Sequence, residues 1–211
     1  MMVTTETSKP CTVDVVLFDF GGVLAEEGFL KGLLSIGEKN GLDPEAFAKT
    51  CSDLIHATGY AVGRVEEPVY WQAVREATGI KSDDQSLKEE ILKHFVLRSW
   101  MMDLVKTLKD SGMLLGILSD QTNWLDELDS KYGLFHRFDF VLNSYYQGKS
   151  KKDPAAFDRA LEAVGVEAQR VLFVDDRPEN VERARERGIQ TILYKDRATF
   201  MEQLGRYCPG V

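Results

Sequence analysis

Short apolar runs rich in β-branched residues alternate along the chain with stretches whose apolar positions recur at helical spacing. Val13, Val15, Val16, Leu17 and Phe18 form the first run, dense enough for a strand buried on both faces, and it stops at Asp19 before Gly21 and Gly22. Comparable runs cover Met113 to Leu118, Phe138 to Leu142, Val171 to Val174 and Thr191 to Tyr194. Between them lie helical patterns: Met101, Leu104, Val105 and Leu108 stopped by Gly112; Leu125, Leu128 and Tyr132; then Phe157, Ala160, Leu161 and Val164, capped by Asp153 and Pro154 and stopped by Gly165. Pro178 to Gly188 and Phe200 to Tyr207 complete the series, and Ser144 to Pro154 reads as a lysine-rich polar loop. Strands alternating with helices predict a doubly wound, parallel, Rossmann-like α/β sheet with crossover connections.

From Phe29 to about Leu97 the pattern is helical only. Asp43 and Pro44 start one helix with Phe47, Cys51, Leu54 and Ile55 on one face. Pro68 starts another carrying Tyr70, Ala73, Val74 and Ala77 up to Gly79, and a third runs from Ser86 to Leu97 with Leu87, Ile91 and Phe95 inward. The expected organisation is therefore a Rossmann-like core made of residues 1–25 and 99–211, with residues 26–98 as an inserted all-helical unit. Within that insert Thr58 to Val65 is broken by glycines, which fits either a connector or a loop reaching toward a ligand.

Ligands of open α/β sheets bind beyond the carboxyl ends of the strands. Asp19, Ser119, the loop holding Lys151, and the pair Asp175 and Asp176 all fall at such ends, hence on one edge. Two or three carboxylates gathered there repel one another and require a cation. Oxygen donors suit a hard ion, and Mg²⁺ held by one or two carboxylates plus water is the natural occupant.

Composition narrows the partners. Of 211 residues, 44% are hydrophobic and 28% charged, with a formal net charge of -8, which disfavours nucleic acid and anionic membrane alike. The polar opening MMVTTETSKP holds no signal-peptide core, and no later stretch is long enough to span a bilayer. Cys11, Cys51 and Cys208 lack metal-site spacing and read as reduced thiols, so the cytoplasm is the expected compartment. His56, His94 and His136 have no metal-site spacing either and read as structural or exposed.

Four segments in order, FDFGGVL, ILSD, KKDPAAF and FVDDRPEN continued by VERARERG, resemble the motifs of the haloacid dehalogenase superfamily of Mg²⁺-dependent phosphohydrolases. The resemblance spans almost the whole chain and implies a helical cap of the first type. It implies Asp19 as nucleophile on a phosphate monoester, giving an aspartyl-phosphate that water hydrolyses. It implies Ser119 and the adjoining Asp120 at the phosphoryl site, and Lys151 beside phosphate and nucleophile. It further implies Mg²⁺ on Asp19, Asp176 and the Gly21 carbonyl, with Asp175 as a supporting or direct ligand and Asn180 orienting the loop.

Three departures stand out. Gly21 occupies the place of the superfamily's second aspartate, a general acid and base, as in a bacterial branch that includes sugar-phosphate phosphatases; Glu26 and Glu27 are close enough in sequence to reach back. Asp120 replaces the usual Asn. Lys-Lys-Asp-Pro replaces Lys-Pro-Asp-Pro, so Lys149 and Lys152 compete with Lys151, which fits best two residues before Asp153. In the insert, Tyr60, Arg64 and Trp71 are positions for substrate contact, weighed against core packing for the aromatics and solvation for the arginine. The expected function is cleavage of a small phosphorylated metabolite such as a sugar phosphate. The alternatives are a 2-haloacid dehalogenase and a non-catalytic binding or regulatory member.

Overall fold

The computed structural model describes residues 11–210. The polar stretch MMVTTETSKP and Val211, which the expected domain limits include, lie outside the described residues. In chain order the elements are β1 Val15–Phe18, α1 Gly28–Lys39, α2 Pro44–Ala57, α3 Glu67–Thr78, α4 Asp84–Leu92, α5 Ser99–Asp110 and β2 Leu114–Ser119. There follow α6 Trp124–Tyr132, β3 Phe140–Asn143, α7 Ser144–Gln147, α8 Ala155–Val164, β4 Val171–Asp175, α9 Pro178–Glu186, β5 Gln190–Leu193 and α10 Arg197–Tyr207.

All five strands join one parallel sheet in the order β3-β2-β1-β4-β5, so the strand leading to Asp19 is central. Its residues alternate between two apolar layers. Val16 and Phe18, with Leu115, Leu172 and Val174, face the side covered by α5, α6 and α10, while Val15 and Leu17, with Val171 and Phe173, face α8 and α9. Both faces are covered, which is why these strands read as unbroken apolar runs. The first layer continues into the helices between β1 and β2 through Leu33, Phe47, Cys51, Trp71 and Ile91.

The chain leaves the sheet and returns to it through paired linkers. Glu26 N–H donates to Val96 O at 2.9 Å and Arg98 N–H to Leu24 O at 2.9 Å. The Arg98 guanidinium donates to the carbonyls of Gly22, Val23 and Ala25 and to the Glu26 carboxylate. One half-buried cation thereby gathers the carbonyls of the loop that follows Asp19.

Several local expectations are corrected. Cys11 and Cys208 are disulfide-bonded, their Cα atoms 4.2 Å apart. The end of α10 returns beside the chain leading into β1, where Thr12 N–H donates to Tyr207 O at 2.7 Å. Among the three cysteines only Cys51 is free, and burial pushes its thiol up to about 12. Two of the three thiols on which a reducing compartment was inferred are thus paired; among the described residues no helix is long and apolar enough to cross a membrane.

The polar loop begins instead with the helical turn α7, because Asn143 caps it by accepting from Tyr145 N–H and Ser144 buries its hydroxyl against Ala61 O at 2.7 Å. On α3 the buried face is Tyr70, Trp71 and Val74, with Ala77 exposed. The helix expected to reach Leu97 ends at Leu92; Phe95, past its end, packs on Phe20 with ring centroids 5.6 Å apart.

Candidate active site

Asp19 is the first residue beyond β1, and its N–H is fixed to Val174 O of β4 at 2.9 Å. One carboxylate oxygen, Oδ1, accepts from Phe20 N–H at 2.7 Å and from Ser119 Oγ at 2.7 Å, and lies 3.0 Å from Lys151 Nζ. The other, Oδ2, has no hydrogen-bond donor among the described residues and is the oxygen left for chemistry.

Lys151 is 2% exposed. Its ammonium also donates to Asp175 Oδ2 at 2.6 Å, and its backbone N–H donates to the Asp120 carboxylate at 2.8 and 3.1 Å. Asp120 therefore uses its oxygens to pin the lysine loop to the end of β2. Lys149 pairs with Asp153 near the surface and Lys152 is exposed, which leaves Lys151 as the lysine at Asp19.

Asp175, last residue of β4, is fully buried. Besides Lys151 it accepts from Arg177 N–H at 2.8 Å and from Asn180 Nδ2 at 3.1 and 3.2 Å. Asp176 is only half-buried and makes no such contacts. Ligand oxygens of Asp19, Asp175 and Asp176 all lie within 4.8 Å of one another. The close approach is made possible by Gly22: its φ is +88°, and a Cβ there would stand 2.3 Å from Asp176 Oδ2.

Three carboxylates against one buried ammonium leave a surplus of negative charge. Burial, opposed by Lys151 and reinforced by Asp175, pushes the Asp19 carboxyl up to about 7. Burial and then Asp175 also raise Asp176. Against its own burial, Lys151 is raised by Asp19, Asp175 and Asp120 and stays charged. A divalent cation held by Asp19 and Asp176 would offset the surplus, and the oxygen-only donor set fits Mg²⁺.

These groups open into a cleft of about 470 Å³ whose opposite wall is α1 and α2. Tyr60 and Trp71 are fully buried in an aromatic cluster with Tyr70 and Trp124, and Tyr60 OH donates to Asn123 Oδ1 at 2.6 Å. Arg64 is exposed. None of the three is among the described residues lining the cleft. The glycine-broken segment is a docking turn: Gly63, at φ +65°, presses against Tyr145 O, and Ala61 receives the Ser144 hydroxyl.

Glu26 is turned away to Arg98 and Lys31; Glu27 lines the cleft but caps α1 by accepting from Leu30 and Lys31 N–H. His56, set aside on spacing alone, lies on the cleft wall, as do Gln121, Thr122 and Trp124. Its place at the end of the α2 apolar face, one residue after Ile55, is the sequence signal that could have found it.

A five-stranded parallel sheet with an aspartate beyond its central strand, a buried lysine and a carboxylate pair one strand over defines a class of hydrolase. The chain belongs to the haloacid dehalogenase-like hydrolase family, whose model matches residues 13–188. It is similar to the GMP/IMP nucleotidase of Escherichia coli, 27% identical over 86% of this chain and 82% of that one. It is also similar to bifunctional epoxide hydrolase 2 of Rattus norvegicus, 30% identical over 49% of this chain, where the match spans only 20% of the relative's length. Among solved structures, a HAD family enzyme from Bacteroides thetaiotaomicron in complex with magnesium and inorganic phosphate superposes with a TM-score of 0.70 at 20% identity, over 87% of this chain and 94% of that one. L-2-haloacid dehalogenase from Xanthobacter autotrophicus gives 0.64 at 18% identity, over 92% and 83%.

Proposed function

We propose that the chain is a Mg²⁺-dependent phosphohydrolase that cleaves a small phosphorylated metabolite through an aspartyl-phosphate on Asp19. The observation that carries this reading is the division of labour at Asp19: Oδ1 is held by three donors while Oδ2 is left free within a cluster of carboxylates that lacks sufficient positive charge. The Bacteroides structure, with magnesium and phosphate bound to that protein, and the nucleotidase relative support it. The proposed organisation is a core of residues 1–25 and 99–211 with residues 26–98 as a cap whose α1 and α2 close the cleft.

In this reading Asp19, Asp176 and the Gly21 carbonyl hold Mg²⁺, which when bound neutralises charge on carboxylate and phosphate alike. Asp19 Oδ2 attacks phosphorus, the ester P–O bond breaks, and the leaving oxygen takes a proton. Ser119 and Lys151 offer donors to the phosphoryl oxygens while keeping Oδ1 in place. Asp175 holds Lys151, and Asn180 holds Asp175. Water then attacks phosphorus, the acyl-phosphate P–O bond breaks, and Asp19 returns as carboxylate with release of inorganic phosphate. With Gly21 in place of an acid, the departing oxygen draws its proton from solvent, which favours good leaving groups.

A dehalogenase would attack carbon on a substrate that is itself a carboxylate and would have no use for the charge of Asp176. A panel of phosphate esters and 2-haloacids, followed by phosphate and halide release with Mg²⁺ and with chelator, separates the readings. The expected result is Mg²⁺-dependent phosphate release. Metal-independent halide release would replace this reading by the dehalogenase one, and no turnover with intact Mg²⁺ binding would favour a binding module.

A further inference from the structure

One wall of the cleft carries more positive charge than phosphoryl transfer at Asp19 requires. Lys152 and Arg177 are the chain neighbours of Lys151 and Asp176, both are exposed, and both line the cleft. Arg183, on α9 one turn past Asn180, lines it too and donates to Asn180 Oδ1 at 3.2 Å. None of the three forms an ion pair with a described residue, although Lys151 between them is doubly paired.

The carboxylates near this wall do not pair with it. Asp120 accepts from Lys151 N–H and Glu27 from the first amides of α1; such bonds do not cancel their charge, but neither forms an ion pair with Lys152, Arg177 or Arg183. Glu179, exposed at the start of α9, is the one cleft-lining carboxylate outside the Asp19 cluster without such a donor among the described residues. The field of the wall is felt across the cleft. His56 on α2 is held below its usual value, first by burial and then by Lys152 and Arg177, against the opposing influence of Asp120 and Asp53. The rest of the opposite wall is Phe29, Leu30 and Ile55, which offer apolar contact, with polar Ser52 and the Glu27 that caps α1.

We infer that the substrate carries a second anionic group, a further phosphate or a carboxylate, and that Lys152, Arg177 and Arg183 receive it while the scissile phosphate occupies the Asp19 site. This rests on the phosphohydrolase reading and narrows its substrate to doubly anionic phosphate esters of small size. Exposed ammonium and guanidinium groups attract such a ligand modestly one at a time, and together they set a preference between otherwise similar esters.

Two experiments test it. Hydrolysis is compared for fructose 6-phosphate and glycerol 3-phosphate, which have one anionic group, and for fructose 1,6-bisphosphate and 3-phosphoglycerate, which have two; the last pair distinguishes a phosphate from a carboxylate as second anion. Binding of the same four is measured by calorimetry on the Asp19→Asn variant, so that preference is read without turnover. The two-anion ligands should bind about tenfold tighter or better, and Lys152→Gln or Arg177→Gln should each shrink that ratio about fivefold, with added salt acting in the same direction. Equal affinity for one-anion and two-anion ligands would overturn the inference, as would variants that weaken all four equally, since that is general attraction of phosphate. Preference in binding without any hydrolysis would leave this inference standing and remove the phosphohydrolase reading; hydrolysis without preference would do the reverse.

Discussion

Replacing Asp19 by Asn should make the metal-free protein more stable at neutral and alkaline pH. Asp19 and Asp175 are buried around the single ammonium of Lys151 with the half-buried Asp176 beside them, and the Asp19 carboxyl is displaced from 3.8 to about 7, chiefly by burial. A carboxyl whose pKa rises on folding contributes stability that is complete below its unfolded pKa and is lost as pH climbs through its folded one. A shift of this size corresponds to at most about 4 kcal/mol, surrendered between roughly pH 4 and pH 7. The attraction of Lys151 is already contained in that value, and Asn keeps an oxygen for Phe20 N–H and Ser119 Oγ without matching the neutral carboxyl fully, so a net gain of about 2–3 kcal/mol is expected at pH 8. For a chain of this length that is about 5–10 °C in Tm. Thermal unfolding followed by circular dichroism in chelator, from pH 4.5 to 8.5, reads it directly. The two proteins should melt together at the acid end and separate as pH rises, and Mg²⁺ should then raise the unmodified protein more than the variant. If the unmodified protein is as stable as Asp19→Asn at pH 8 in chelator, Asp19 does not carry a strained, desolvated charge and the electrostatic case for a metal falls with it.

Three further outcomes follow from the same geometry. Asp176→Ala removes a half-buried carboxylate that accepts from no other side chain among the described residues, so Mg²⁺ affinity measured by calorimetry should drop at least tenfold while the melting temperature in chelator holds or rises; undiminished affinity would count against Asp176 as a ligand. Gly21→Asp should fit, because φ there is not in the left-handed region and a Cβ would meet only Phe95 Cε1 at 3.3 Å and Gln121 Nε2 at 3.5 Å. It should speed alkyl phosphates by about a hundredfold or more and aryl phosphates much less, and rates already flat across leaving groups in the unmodified protein would show that another group supplies the proton. Arg98→Ala removes the guanidinium from the carbonyls of Gly22, Val23 and Ala25, of which Ala25 O keeps the Gly22 N–H, and should cost about 2–4 kcal/mol in urea unfolding, with a loss below about 0.5 kcal/mol refuting the clamp.

The sheet and its catalytic edge were legible because each strand is buried on both faces, which forces apolar runs that end abruptly where polar work begins. Asp19, Ser119 and Asp175 stand at such endings, and one edge of a parallel sheet gathers them. Contacts between residues distant in the chain were not legible. Cys11 meets Cys208 only because α10 returns to the start of β1, and Arg98 finds three carbonyls only because two linkers pair. Glu26 looked free to turn back toward Asp19, yet Arg98 and Lys31 hold it elsewhere. His56 was judged by spacing to other histidines, whereas its place is decided by which end of α2 faces the cleft. Ala77, expected on the apolar stripe of α3, is exposed, while Trp71 takes the core place that was weighed for it, because the helix buries the stripe with the larger aromatics.

The most direct test is chemical trapping of the proposed acyl phosphate. The protein is mixed with a phosphate ester it turns over and Mg²⁺, quenched in acid, reduced with borohydride and mapped by peptide mass spectrometry. The account predicts homoserine at position 19, dependent on both ester and Mg²⁺ and absent after Asp19→Asn. Steady phosphate release with no reducible adduct at Asp19, and persisting in Asp19→Asn, would contradict it.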